Sequence, residues 1–118
     1  MKIKKEKSFI ILQPEPNFGG KKMITISEFY NEVAENLSNF KSDSLVIDLS
    51  SINNIDLKEI LLFSQIGKEL KNNNKSFVLV CNQVDIDGLA DDSLVIVPTL
   101  KEAEDVIEIE EIERDLGF

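Results

Sequence analysis

Apolar residues fall along this chain in two rhythms: short unbroken runs, and longer stretches in which they recur every third or fourth position. Unbroken runs bounded by polar turn residues predict strands covered on both faces, and the slower recurrence predicts helices with one face on a core. Ser8 to Leu12, Ser44-Leu45-Val46-Ile47-Asp48-Leu49, Phe77 to Cys81 and Leu94-Val95-Ile96-Val97 are the predicted strands. Met23-Ile24-Thr25-Ile26 is a candidate additional strand. It would return the chain after Pro14-Glu15-Pro16-Asn17-Phe18-Gly19-Gly20, which holds too many breakers to continue a ladder.

Helix starts are marked by their capping residues. Thr25-Ile26-Ser27-Glu28 has the form of a capping box, and Phe29, Val33, Leu37 and Phe40 then share one helical face while Glu28, Glu32, Glu35 and Asn39 face water. Asp56 can cap a second helix over 57–72, with Glu59 in its first turn against the positive end of the dipole. Ile60, Leu61, Leu62, Phe63, Ile66 and Leu70 make that helix broadly apolar and predict burial, and Gly67 permits close approach. Asn72-Asn73-Asn74 ends it. Residues 82–92, with Val84, Ile86 and Leu89 among four aspartates, predict a loop or a single helical turn. Thr99 and Glu102 form a second capping box before a final helix. Leu100, Ala103, Val106, Ile107, Ile109, Ile112 and Leu116 are expected to form its sheet-covering stripe, and Gly117 to end it. Strands separated by helices predict an α/β fold: a mixed sheet of about four to five strands with three to four helices packed on it.

Composition narrows what such a fold can do. At 118 residues and 42% hydrophobic, the chain is the size of one domain, 1–118, able to bury its own core. No stretch approaches the roughly 20 apolar residues that span a bilayer. The basic opening 2–7 is followed by a run too short for a signal peptide, so the expected location is the cytoplasm. Cys81, the only cysteine, lies in an apolar run and reads as a small buried hydrophobe. The absence of histidine removes His-based metal sites and Ser-His or Cys-His nucleophile pairs. The net charge of −9 argues against nucleic acid and anionic membrane as partners. Residues 1–59 carry 8 Lys/Arg against 9 Asp/Glu, and residues 60–118 carry 5 against 13, so the acidity lies in the second half. A basic or amphipathic protein suits that half as a partner.

From Ser44 onward the pattern resembles a known family. Leu45-Val46-Ile47-Asp48-Leu49-Ser50 is followed by the turn Ile52-Asn53-Asn54-Ile55-Asp56, the helix over 57–72, the strand Phe77-Val78-Leu79-Val80 and the ending Val97-Pro98-Thr99-Leu100-Lys101-Glu102-Ala103. In order and spacing these resemble the STAS domain, the small α/β module shared by anti-sigma factor antagonists and sulphate transporters. The resemblance covers about 60 of the 118 residues. It implies a non-enzymatic protein-binding module without cofactor or metal, whose partner is an anti-sigma factor or a kinase-like regulator. It also implies a partner surface at the turn and helix start: Asn53, Asn54, Asp56, Leu57, Lys58 and Glu59. Switch-type members carry hydroxyl residues and a glycine after the aspartate, where a kinase phosphorylates them. Here Asp56 matches, but Leu57-Lys58-Glu59 follows, so the resemblance does not carry over the phosphoswitch. Regulation would then be absent, would follow partner abundance, or would use Ser50 or Ser51. The family's Gly-x-Leu-Asp turn has no counterpart at 14–20, and 82–92 is short for its third helix.

The same residues admit other chemistries. Asp48, at a strand end, could serve a small α/β enzyme or accept a phosphoryl group as in receiver domains, whose acidic pair and Lys-Pro ending have no match at Gln13, Glu15 or Val97-Pro98. The plainer role for Asp48 and Asp56 is to bind turn and helix-start N–H groups. Asp85, Asp87, Asp91 and Asp92 lack calcium-loop spacing, and Gly19-Gly20-Lys21-Lys22 lacks the phosphate-loop pattern. A structural subunit dimerising through a sheet edge or the last helix is the remaining alternative.

Overall fold

The computed structural model describes residues 2–14, 25–40, 43–52, 55–82 and 94–117. Among the described residues five strands run in chain order: β1 (Lys2–Lys5), β2 (Phe9–Gln13), β3 (Ser44–Asp48), β4 (Phe77–Val80) and β5 (Val95–Val97). They form one mixed sheet in which neighbours in sequence are neighbours in space. β1 is antiparallel to β2, with Lys4 opposite Ile11, while β2, β3, β4 and β5 are mutually parallel. The fold is therefore α/β with a mixed sheet, as the alternation of runs and periodic stretches predicts.

The helices are α1 (Ile26–Asn36), α2 (Leu57–Ile60), α3 (Ser64–Asn72) and α4 (Leu100–Asp115). A 3-10 turn, Leu61–Phe63, joins α2 to α3, so 57–72 is one helical unit tightened in its middle, and a second such turn, Leu37–Asn39, extends α1. Parallel crossovers are nearly always right-handed, so crossovers that step in one direction place their helices on one face of the sheet. The core has that arrangement. Ile10, Leu12, Leu45, Ile47, Phe77 and Leu79 point to one side, where Phe29, Val33, Phe63, Ile66 and Leu70 meet them. Phe9, Ile11, Val46, Val78, Val80 and Val97 point to the other, where Ala103 and Ile107 of α4 pack. Strands covered on both faces show unbroken apolar runs rather than alternation.

Helix ends follow the sequence closely. Thr25 and Thr99 each accept a hydrogen bond from the backbone N–H three residues on, at Glu28 and Glu102. The Thr25 hydroxyl in turn donates to Glu28 Oε1. At the end of α3, Asn74 takes a left-handed conformation with φ of 60°. Lys75 N donates to Leu70 O and Asn74 N to Lys71 O, a Schellman pairing in which Asn replaces the usual glycine.

Three expectations are corrected. The additional strand is Lys2–Lys5, not 23–26: Thr25 and Ile26 are the cap and first residue of α1, and Met23 and Ile24 lie outside the described residues. β1 is an exposed edge strand held by backbone bonds on one side, so it needs no apolar run, and its lysines discourage further pairing at the free edge. Leu61 and Leu62 are not buried with their neighbours but are 40% and 39% exposed. Ile60, Phe63, Ile66 and Leu70 already complete the sheet-facing side at intervals of three, three and four. Finally, α4 buries only Ala103 and Ile107, with Val106 partly buried, and leaves Leu100, Ile109, Ile112 and Leu116 exposed.

Cys81 is buried in the core, and its backbone N–H donates to Val97 O. A thiol-specific chromogenic reagent is accordingly expected to titrate it at least about a hundredfold more slowly in the native protein than in denaturant. Immediate reaction in buffer would show that the strand end opens readily.

Candidate functional site

Among the described residues the one buried carboxylate lies at the carboxyl ends of the parallel strands, while the buried Ser44 and Ser76 lie at the amino ends of β3 and β4. Asp48 closes β3 and is buried. Its Oδ2 accepts from Gln13 Nε2 of β2 at 2.7 Å, and its Oδ1 accepts from both Ser50 N at 3.0 Å and Ser50 Oγ at 2.6 Å. A carboxylate bonded to the N–H two residues on is an Asx turn, which bends the chain out of the strand. Both oxygens are thus engaged, one fixing the exit of β3 and the other locking it to β2. Leu49 N donates to Val80 O, and Ile52 N to Leu49 O, so the turn stays attached to the sheet. Ile52 is buried and Ile55 partly so, anchoring the loop on either side of 53–54.

That anchored loop delivers the chain to α2. Asp56 Oδ1 accepts from Lys58 N at 3.1 Å, and Glu59 Oε1 accepts from Asp56 N at 3.3 Å, a reciprocal capping box. Ile55 and Ile60 occupy the two positions of a hydrophobic staple, and both pack into the core. The helix start is thereby fixed in direction by side chains on both sides of the cap.

Of the residues expected to meet a partner, Asp56 and Glu59 spend their carboxylates on the cap, and Lys58 is exposed beside them. Asn53, Asn54 and the side chain of Leu57 lie outside the described residues. Leu61 and Leu62 lie three and four positions beyond Lys58, hence on its side of the helix, and extend the exposed surface. The sequence offered a signal for them: apolar positions in excess of those one sheet-facing side needs. Ser51 is exposed, whereas the Ser50 hydroxyl is tied to Asp48.

Among the described residues no group of three or more Cys, Asp or Glu is placed to hold a metal ion. Asp85, Asp87, Asp91 and Asp92, and Gly19 to Lys22, lie outside the described residues. The parallel strands β2 to β5 step one way across the sheet. No helix of the described residues is long and apolar enough to cross a membrane. No family model matches the chain, and no curated protein matches its sequence.

Proposed function

We propose that this chain is a non-enzymatic, cytoplasmic protein-binding module of the STAS kind, with its partner surface at the start of α2. The observation that carries the reading is the doubly capped helix start Asp56–Glu59, which presents Lys58 with Leu61 and Leu62 exposed beside it. Exposed leucines next to a cation on a fixed element suit a partner with an apolar patch bordered by acid. The sheet order, with α1 and α3 on one face and α4 on the other, accords with the resemblance from Ser44 onward. Leu57 and Lys58 stand where switch-type members carry hydroxyls, so binding here is not ended by phosphorylation at that position. The partner class is an anti-sigma factor or a kinase-like regulator.

Affinity purification from the native host, followed by mass spectrometry, tests this. Lys58→Glu and Leu61→Asp are expected to weaken the recovered partner's affinity at least about tenfold, or about 1.4 kcal/mol. Both alter exposed side chains, so the thermal midpoint should stay nearly unchanged. Variants that keep every partner at full affinity would overturn the reading.

A further inference from the structure

The second half of α4 turns its apolar residues to solvent. Residues turn through about 100° per step along a helix. Ile109, Ile112 and Leu116 therefore lie within an arc of about 60°, on the side away from Ala103 and Ile107. They are 56%, 58% and 67% exposed. The helix cannot roll to bury them, because it is pinned twice. Ala103 and Ile107 are fully buried against β3, β4 and β5. Near the other end Arg114 Nη2 donates to Ser76 Oγ, and Ser76 is itself bonded through its N–H to the buried Ser44.

The ridge has a charged border of one sign. By the same helical spacing Glu108 and Asp115 lie along one side and Glu102 and Glu113 along the other, all exposed. Of the two cations in α4, Arg114 is turned to the sheet and Lys101 is held by Asp105 at 3.1 Å. The spacing of three and four is that of a helix-pairing seam, in which flanking charges choose the partner. We propose that this ridge docks a basic amphipathic helix of another protein, with apolar residues seated on Ile109, Ile112 and Leu116 and Lys or Arg against the flanking carboxylates. A second copy would set acid against acid along the seam. The chain's own basic segment, Lys2–Lys5, is a strand with one apolar residue and offers no row to seat. Anionic lipid and nucleic acid are repelled by the same border.

This surface lies on the opposite face of the sheet from α2 and stands or falls separately from the site there. The probe is a fluorescent helical peptide with leucines at i, i+3, i+4 and i+7 flanked by lysines, titrated by anisotropy. Its control has the same residues with the leucines scattered round the helix. The patterned peptide is expected to bind at least about tenfold more tightly than the control, a margin of about 1.4 kcal/mol. The Ile109→Ser/Ile112→Ser double variant should erase that margin, Leu116→Ser alone should reduce it, and Lys58→Glu should leave it intact. Raising salt from about 50 to 500 mM should weaken the patterned peptide severalfold. Circular dichroism confirms that each variant is folded. Equal binding of the two peptides, no binding of either, or unchanged binding by the folded double variant overturns the proposal. So does light scattering that shows a dimer which the double variant converts to monomer, since a second copy would then be the occupant.

Discussion

Phe63→Ala is expected to lower folding stability by about 3–5 kcal/mol, the range for truncating a fully buried aromatic ring. Phe63 has no exposed surface, and its ring meets three others: Tyr30 edge-on at 5.4 Å, Phe77 at 6.4 Å and Phe29 at 6.5 Å. It thus joins α1, the middle of the 57–72 unit and β4 in one contact. Removing it leaves a cavity whose walls belong to three elements, each held elsewhere, so collapse around it is limited. A loss of that size is a large part of the 5–15 kcal/mol that stabilises an ordinary domain. Urea denaturation followed by circular dichroism should show a lower midpoint with an unchanged slope. Leu61→Ala, two residues away on the exposed side, should change stability by no more than about 0.5 kcal/mol. Equal losses for the two would mean that the helix is not seated as described.

That contrast between residues two positions apart also shows how far the fold was legible in the sequence. α1 was legible in its cap and its row, Phe29, Val33, Leu37 and Phe40, all buried, but not in its first residues, where 23–26 also fits a strand. The parallel strands were legible because helices cover both faces and leave only apolar runs. β1 was not, because an edge strand is specified by backbone pairing and its lysines carry no β-pattern. The 57–72 unit and α4 were legible as helices but not in their exposure, because each holds more apolar residues than one sheet-facing side can use. In α4 the row that continues from Ala103 and Ile107 runs through Glu110 to Arg114, while the apolar residues of its second half turn outward. Only the three-dimensional position of Ser76 shows why: it captures Arg114 and fixes the roll of the helix. The candidate site divides in the same way. The cap at Asp56 is local chemistry and could be read from four residues, whereas the bond from Asp48 to Gln13 joins positions 35 apart and had no sequence signal.

Asp48→Ala is expected to cost about 2–3 kcal/mol, because three part-buried hydrogen bonds to one charged acceptor are lost together. Three hydrogen bonds end on this carboxylate, from Gln13 Nε2, Ser50 N and Ser50 Oγ. With it gone, the exit of β3 loses both its turn and its tie to β2. Asp48→Asn is expected to recover most of the loss: its side-chain oxygen still accepts from Ser50, and Gln13 can rotate its amide to accept from the new NH2. The double variant Gln13→Ala/Asp48→Ala should cost less than the sum of its single changes, since each single change strands the other's partner. This pattern separates a structural carboxylate from a reactive one. A phosphoryl acceptor must free an oxygen for attack, which here would break either the turn or the inter-strand tie. Incubation with a small phosphodonor and Mg2+ should therefore leave the intact mass unchanged. A phosphoryl group found on Asp48 would instead favour the receiver-like reading and make the turn at Ser50, rather than the start of α2, the part of the molecule that responds.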